Sequence, residues 1–201
     1  FSIFIFFINH KIKEYIFIIF LSFLSALYIF EFYVNSLEIN LKSKIYKDRN
    51  EKIYDERETF EIYSDFKKND ESVVLTVAPN FHLTNNKLIA LSGASNSKTI
   101  HCNENGYYSI YQSDRYGFNN PDSEWDEKEI EYLTLGDSFV QGSCVNRPND
   151  ITSVLRTLSN KSAVNLGYGL NGPLLQYAGL REYLSKNVKN VLWFYYEGND
   201  L

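Results

Sequence analysis

The stretch Ile130-Glu131-Tyr132-Leu133-Thr134-Leu135-Gly136-Asp137-Ser138-Phe139 decides how this chain is read. A short apolar run that stops at Gly-Asp-Ser reads as a buried strand giving way to a turn. Open α/β sheets bind their ligands at the carboxyl ends of such strands, which makes Ser138 a candidate nucleophile. The common serine-hydrolase elbow, Gly-x-Ser-x-Gly, needs a glycine two residues after the serine, and that position is Val140.

Outward from this stretch the pattern alternates: strand Ile130–Leu135, helix 151–158, strand 163–166, helix 174–185, strand 191–196. Such alternation predicts a parallel sheet with right-handed crossovers. Upstream, residues 72–111 carry short β-like runs, 73–77 and 87–91, punctuated by Pro79, Asn85-Asn86, Gly93 and Asn105-Gly106. They predict a small β-rich accessory segment.

Two further stretches follow Gly-Asp-Ser in order: Asn165-Leu-Gly167-Tyr-Gly169-Leu-Asn171-Gly172-Pro173 and Glu197-Gly198-Asn199-Asp200. With Ser138 they resemble the ordered blocks of the SGNH (GDSL) hydrolase family, over about a third of the chain. The stretches Cys102-Asn-Glu-Asn-Gly106 and Ser113-Asp-Arg-Tyr-Gly117-Phe-Asn-Asn-Pro121 resemble the lead-in of some membrane-anchored members. The resemblance implies a flavodoxin-like three-layer α/β fold with a parallel sheet, and a serine esterase working through an acyl-enzyme without a cofactor. It implies an O-acyl substrate, an O-acetylated surface polysaccharide among them. An acyl transferase on the same fold and a non-catalytic binding module are the alternatives.

Ester hydrolysis needs a nucleophile, a base, and donors aimed at the developing oxyanion. The resemblance gives Ser138 the first role. Its own N–H, a loop N–H and the Asn199 side-chain amide are the implied oxyanion donors. Gly169 is taken as the loop donor, with Leu170, which falls where the family has its glycine, and Gly172 left open. Glu197 stands where the family has the first glycine of Gly-x-Asn-Asp and puts a carboxylate beside the site. The family's base is a histidine three residues after an aspartate near its C-terminus. His10, His82 and His101 all precede Ser138 and none is expected to be catalytic. Asp137 is expected to fix its loop through hydrogen bonds.

One rival reading shares the same loop. Gly167-x-Gly169-x-x-Gly172 lies between an expected strand and helix, and Glu197 comes 25 residues after Gly172. On paper this satisfies a dinucleotide-binding fingerprint. Pro173, placed where close helix packing is wanted, speaks against it.

At the other end, residues 15–34 contain thirteen Ile, Phe, Leu or Val and one charge, Glu31. At about −0.4 kcal/mol each these contribute about −5 kcal/mol to insertion, more than a terminal Glu31 costs. A transmembrane anchor is expected there, within an anchor region 1–36. The count of Lys11 and Lys13 before it against Lys42, Lys44, Lys47 and Arg49 after it opposes export. The resemblance favours an extracytoplasmic catalytic domain. Residues 37–70 are densely charged and predict an exposed amphipathic linker or helix, followed by the lead-in at 71–128 and the hydrolase region at 129–201.

The chain has 201 residues, no methionine and a formal charge of −5. It is expected to be a segment open at both ends. Without a basic run it carries no electrostatic footprint for nucleic acid. Cys102 and Cys144 are too few for a structural zinc site. They read either as two small buried side chains or, in an exported domain, as one bridge.

Overall fold

The computed structural model describes residues 9–50, 52–77 and 89–198, with only the backbone of residues 39, 40 and 50. Helix α1, His10–Asn50, has 41 residues. Neither Gly nor Pro interrupts it, and Glu38 and Lys42 pair one turn apart at 2.6 Å, so the helix runs on beyond its apolar half. The expected transmembrane stretch at 15–34 lies inside this helix, which runs on through residues 37–50, the first part of the segment expected as an exposed amphipathic linker or helix. The apolar half is long enough to span a bilayer, with a mean hydropathy of 2.1 over its 18-residue window, and its side chains are exposed. At about 1.5 Å per residue the whole helix is about 60 Å long, twice a hydrocarbon core.

Residues 55–201 form a separate compact unit. It begins with α2, Thr59–Lys67, whose first turn is closed by Glu58 N–H donating to the Glu61 carboxylate at 3.0 Å. The expectation of an exposed amphipathic segment fails here at one residue, because Ile62 is only 1% exposed. Ile62 packs with Val73 and Ile100 under a small sheet of β1 (Val73–Leu75), β2 (Lys98–Ile100) and β3 (Ile110–Gln112). β1 and β2 run parallel, β2 and β3 antiparallel. The strand expected at 87–91 is not formed over residues 89–91, and residues 87 and 88 lie outside the described residues.

A second sheet follows, of β4 (Ile130–Leu135), β5 (Ala163–Asn165) and β6 (Val188–Trp193). Its order is β5-β4-β6 and both pairings are parallel, as the strand and helix alternation predicts. Between the strands lie α3 (Ser138–Gln141), α4 (Ile151–Ser159) and α5 (Pro173–Tyr183). β6 begins three residues before the expected 191–196, because its pairing with β4 runs from Ile130 opposite Val188 to Leu135 opposite Trp193. Residues 194–198 are therefore a segment leaving the carboxyl edge, not strand.

The lead-in is built into this second sheet. Phe118 shares one core with Ile130, Leu133, Leu135, Val164 and Leu166. Asp114, fully buried, accepts from Tyr116 and Phe118 N–H at 2.9 Å and from Asn120 Nδ2 and Trp125 Nε1 at 2.8 Å. Asn120 then brackets β5, its Oδ1 taking Asn165 N–H at 2.8 Å and its Nδ2 donating to the Asn165 carbonyl at 2.9 Å. A buried carboxylate holding four donors is worth keeping only in a fixed geometry, so the lead-in turn and the sheet edge are held as one piece.

Candidate functional site

The order β5-β4-β6 places consecutive strands on opposite sides of β4. The connections diverge at its carboxyl end, the place where open parallel sheets bind ligands. Ser138 is the third residue after β4. Gly136 is required between them, since a Cβ there would stand 2.4 Å from Val140 Cγ2. Asp137 caps the single turn of α3, its Oδ1 accepting from Phe139 N–H at 2.9 Å, which is the loop-fixing role expected of it. Ser138 is half-buried, and among the described residues its hydroxyl has no hydrogen-bond partner. The turn ends on Gly142 at φ +87°, and Ser143 N–H returns to the Ser138 carbonyl at 2.9 Å.

The loop after β5 is pressed against this turn. A Cβ on Gly167 would lie 2.6 Å from both Gln141 N and Val140 Cβ, and one on Gly169 would lie 3.7 Å from Ser138 Cβ. Gly169 is thus brought beside Ser138, as the sequence reading placed it. Its N–H, however, donates to Gln141 Oε1 at 2.7 Å. Its neighbours are also engaged: Gly167 N–H with Asn165 Oδ1 at 2.7 Å, Tyr168 N–H with the Gly136 carbonyl at 3.3 Å, Asn171 N–H with the Tyr168 carbonyl at 3.2 Å. Leu170 is left-handed at φ +63°, and its N–H has no acceptor among the described residues.

Gly172 needs neither conformational freedom nor clearance: its φ is −72° and a Cβ would meet nothing within 4 Å. It caps α5, and Pro173 takes the first helical position, where a proline loses no bond. The third glycine therefore lacks the close-packing role that a dinucleotide fingerprint assigns it. The second glycine, Gly169, where that fingerprint leaves clearance for a pyrophosphate, faces Gln141 Oε1 and Ser138 Cβ instead, at 3.2 and 3.7 Å from where its Cβ would stand.

From the other side, β6 delivers Tyr196 to Phe139, their rings 5.3 Å apart and both well exposed. Glu197 is exposed at the same edge. Asn199, the expected side-chain donor, lies outside the described residues, as does His82. Of the other histidines, His10 pairs with Glu14 on α1 at 3.2 Å. His101 meets the ring of Tyr111 edge-on at 6.1 Å, and the Tyr111 hydroxyl accepts from Gln141 Nε2 of α3 at 3.1 Å. Burial pushes the His101 imidazole down to about 4, so it is neutral at pH 7.

Cys102 and Cys144 form a disulfide, with Cα atoms 4.9 Å apart. It ties the lead-in to the segment leaving α3, and is joined by Asn105 Nδ2 to the Cys144 carbonyl at 3.0 Å, Ile110 N–H to Asn146 Oδ1 at 2.9 Å, and Arg147 Nη2 to the Gln112 carbonyl at 3.0 Å. Sequence reading missed Gln141, Asn120 and Asp114. Their only signal is polarity at positions where the surrounding residues are core. Among the described residues no three His, Cys, Asp or Glu side chains converge as metal ligands. Comparison of the chain with protein-family models, with curated proteins and with solved structures returns no match.

Proposed function

We propose that this chain is a membrane-anchored serine esterase or acyl transferase of the SGNH type, acting on an O-acyl ester. The observation that carries the reading is the position of Ser138. It stands at the carboxyl end of the central parallel strand, its hydroxyl without a hydrogen-bond partner among the described residues and Gly169 packed beside it. In the proposed reaction Ser138 Oγ attacks the ester carbonyl and gives its proton to a base. The bond to the alcohol oxygen breaks, and that oxygen takes the proton as the alcohol leaves. Water or a sugar hydroxyl then takes the acyl group from Ser138 Oγ, which recovers a proton. The resemblance assigns the base to an Asp-x-x-His segment and the third oxyanion donor to Asn199. It also makes an O-acetylated surface glycan the proposed substrate.

The apolar half of α1 supplies the anchor. The Cys102–Cys144 bridge supports export, because disulfides persist in oxidising compartments. It stands against the flanking count of Lys42, Lys44, Lys47 and Arg49, which opposes export.

The test is a fluorophosphonate probe on the full-length chain, with the label mapped by mass spectrometry. Ser138 carries the label, and Ser138→Ala abolishes it and lowers acetyl-ester turnover at least 10³-fold. Labelling that survives Ser138→Ala overturns the assignment. An unlabelled protein that binds acylated glycan is a binding module, and one that binds a nicotinamide nucleotide in calorimetry carries the rival fingerprint.

A further inference from the structure

A cleft of about 480 Å³ lies at the other end of the second sheet, where β4 begins at Ile130 and where Asn187 precedes β6. β4 is six residues long, so at about 3.3 Å per residue this end stands about 20 Å from the turn that carries Ser138. Tyr116 of the lead-in, Trp125, and Glu182, Tyr183 and Ser185 around the end of α5 complete the lining.

Three of these side chains are aromatic and touch one another. The ring centres of Tyr116 and Trp125 are 4.7 Å apart, those of Tyr116 and Tyr183 5.2 Å, and those of Trp125 and Tyr183 5.9 Å. The indole is fixed, because its Nε1 donates to the buried Asp114 carboxylate at 2.8 Å. The polar groups beside the rings are engaged as well: Ser185 Oγ donates to Asn187 Oδ1, and Asn187 Nδ2 to the Glu127 carbonyl at 3.2 Å. Glu182, the charged side chain of the lining, is exposed, and its carboxylate has no partner among the described residues. Arg115, next to Tyr116 in sequence, is held by Asp122 at 2.7 Å and Asp126 at 2.9 Å.

We propose that this cleft binds a quaternary ammonium cation, its methyl groups against the rings of Tyr116, Trp125 and Tyr183 and its charge balanced by Glu182. An aromatic ring has a negative face and attracts a cation within about 6 Å of its centre. A quaternary ammonium has no N–H to satisfy, which suits a lining whose donors and acceptors are already spent, whereas a sugar would leave its hydroxyls without partners. The unpaired Glu182 carboxylate complements one positive charge and repels a phosphate, so an amine without a phosphate is the ligand. The site shares no residue with the turn and loop at Ser138 and does not rest on the esterase reading.

The test is calorimetry on the full-length chain, in a detergent without an ammonium group. The probes are choline, its uncharged carbon isostere 3,3-dimethylbutan-1-ol, and phosphocholine. Choline binds, and the isostere binds at least about 10-fold more weakly, because only the charge differs. Phosphocholine binds more weakly than choline. Tyr116 is 43% exposed and Glu182 lies on the surface, so both can be replaced without touching the core. Tyr116→Leu and Glu182→Gln each weaken choline binding about 5-fold, and Tyr116→Phe, which keeps the ring, retains it. Equal binding of choline and the isostere reveals an apolar pocket only and overturns the proposal. So does choline binding that neither Tyr116→Leu nor Glu182→Gln weakens, phosphocholine binding tighter than choline, or no choline binding at about 10 mM.

Discussion

Asp114 shows how much of this site is decided away from it. Its carboxylate is fully buried and satisfies four donors, two of them on residues 118 and 120 that pack against β4 and β5. Asp114→Ala leaves those donors without a partner or water, and unfolding free energy falls by about 3 to 5 kcal/mol in denaturant melts. His101 sets a pH dependence with a definite sign. Its folded value, about 4, lies below the ordinary 6.5, because burial disfavours the imidazolium. Above pH 6.5 both folded and unfolded chains carry it neutral and stability is complete. Between 6.5 and 4 the unfolded chain binds a proton that the fold refuses, so stability falls by about 1.4 kcal/mol per pH unit, about 3 kcal/mol in all. Urea melts at pH 7.5 and 4.5 show this loss in the wild type, and His101→Phe removes that part of it. At Leu170 the left-handed backbone costs about 1 to 2 kcal/mol, offset by the bonds that hold its neighbours.

Among the elements, the segment leaving α3 is the least able to hold itself. Gly142 and Cys144 both have positive φ, and the turn before them is four residues long. Its order comes from the disulfide and from the Asn105, Asn146 and Arg147 bonds to the lead-in. Reducing the bridge, or Cys102→Ser with Cys144→Ser, frees a loop spanning 42 residues of sequence and lowers stability by about 4 kcal/mol in the chain-entropy model. Thermal melts with and without reductant measure it. If export is correct, the protein purified without reductant contains no free thiol by Ellman titration. The element boundaries show where pattern suffices. β4 is legible to the residue because its apolar run ends at a glycine that sterics require. β6 was displaced by three residues because its start is fixed by pairing with Ile130, which no local pattern reveals.

At the scale of the molecule, α1 differs from the 55–201 unit in what it exposes. α1 leaves Phe, Ile and Leu side chains exposed along its first half, at a cost that only an apolar surrounding removes. The chain therefore sediments with membranes, resists carbonate extraction and is released by detergent. Recovery in the soluble fraction contradicts the anchor. The amino-acid sequence by itself determined the apolar span, the alternation of strand and helix, and the Gly-Asp-Ser turn. These are local: hydropathy, periodicity and steric demand at one glycine are carried by neighbouring residues. Tertiary structure alone decided that the lead-in belongs to the sheet's core, that the two cysteines meet, and that Gly169's amide is held by Gln141. Each depends on residues 28 to 45 positions apart in the chain, or 42 for the bridge, brought together by burial. A buried amide or carboxylate has no sequence signature of its own, because its meaning lies in the partners that the fold supplies.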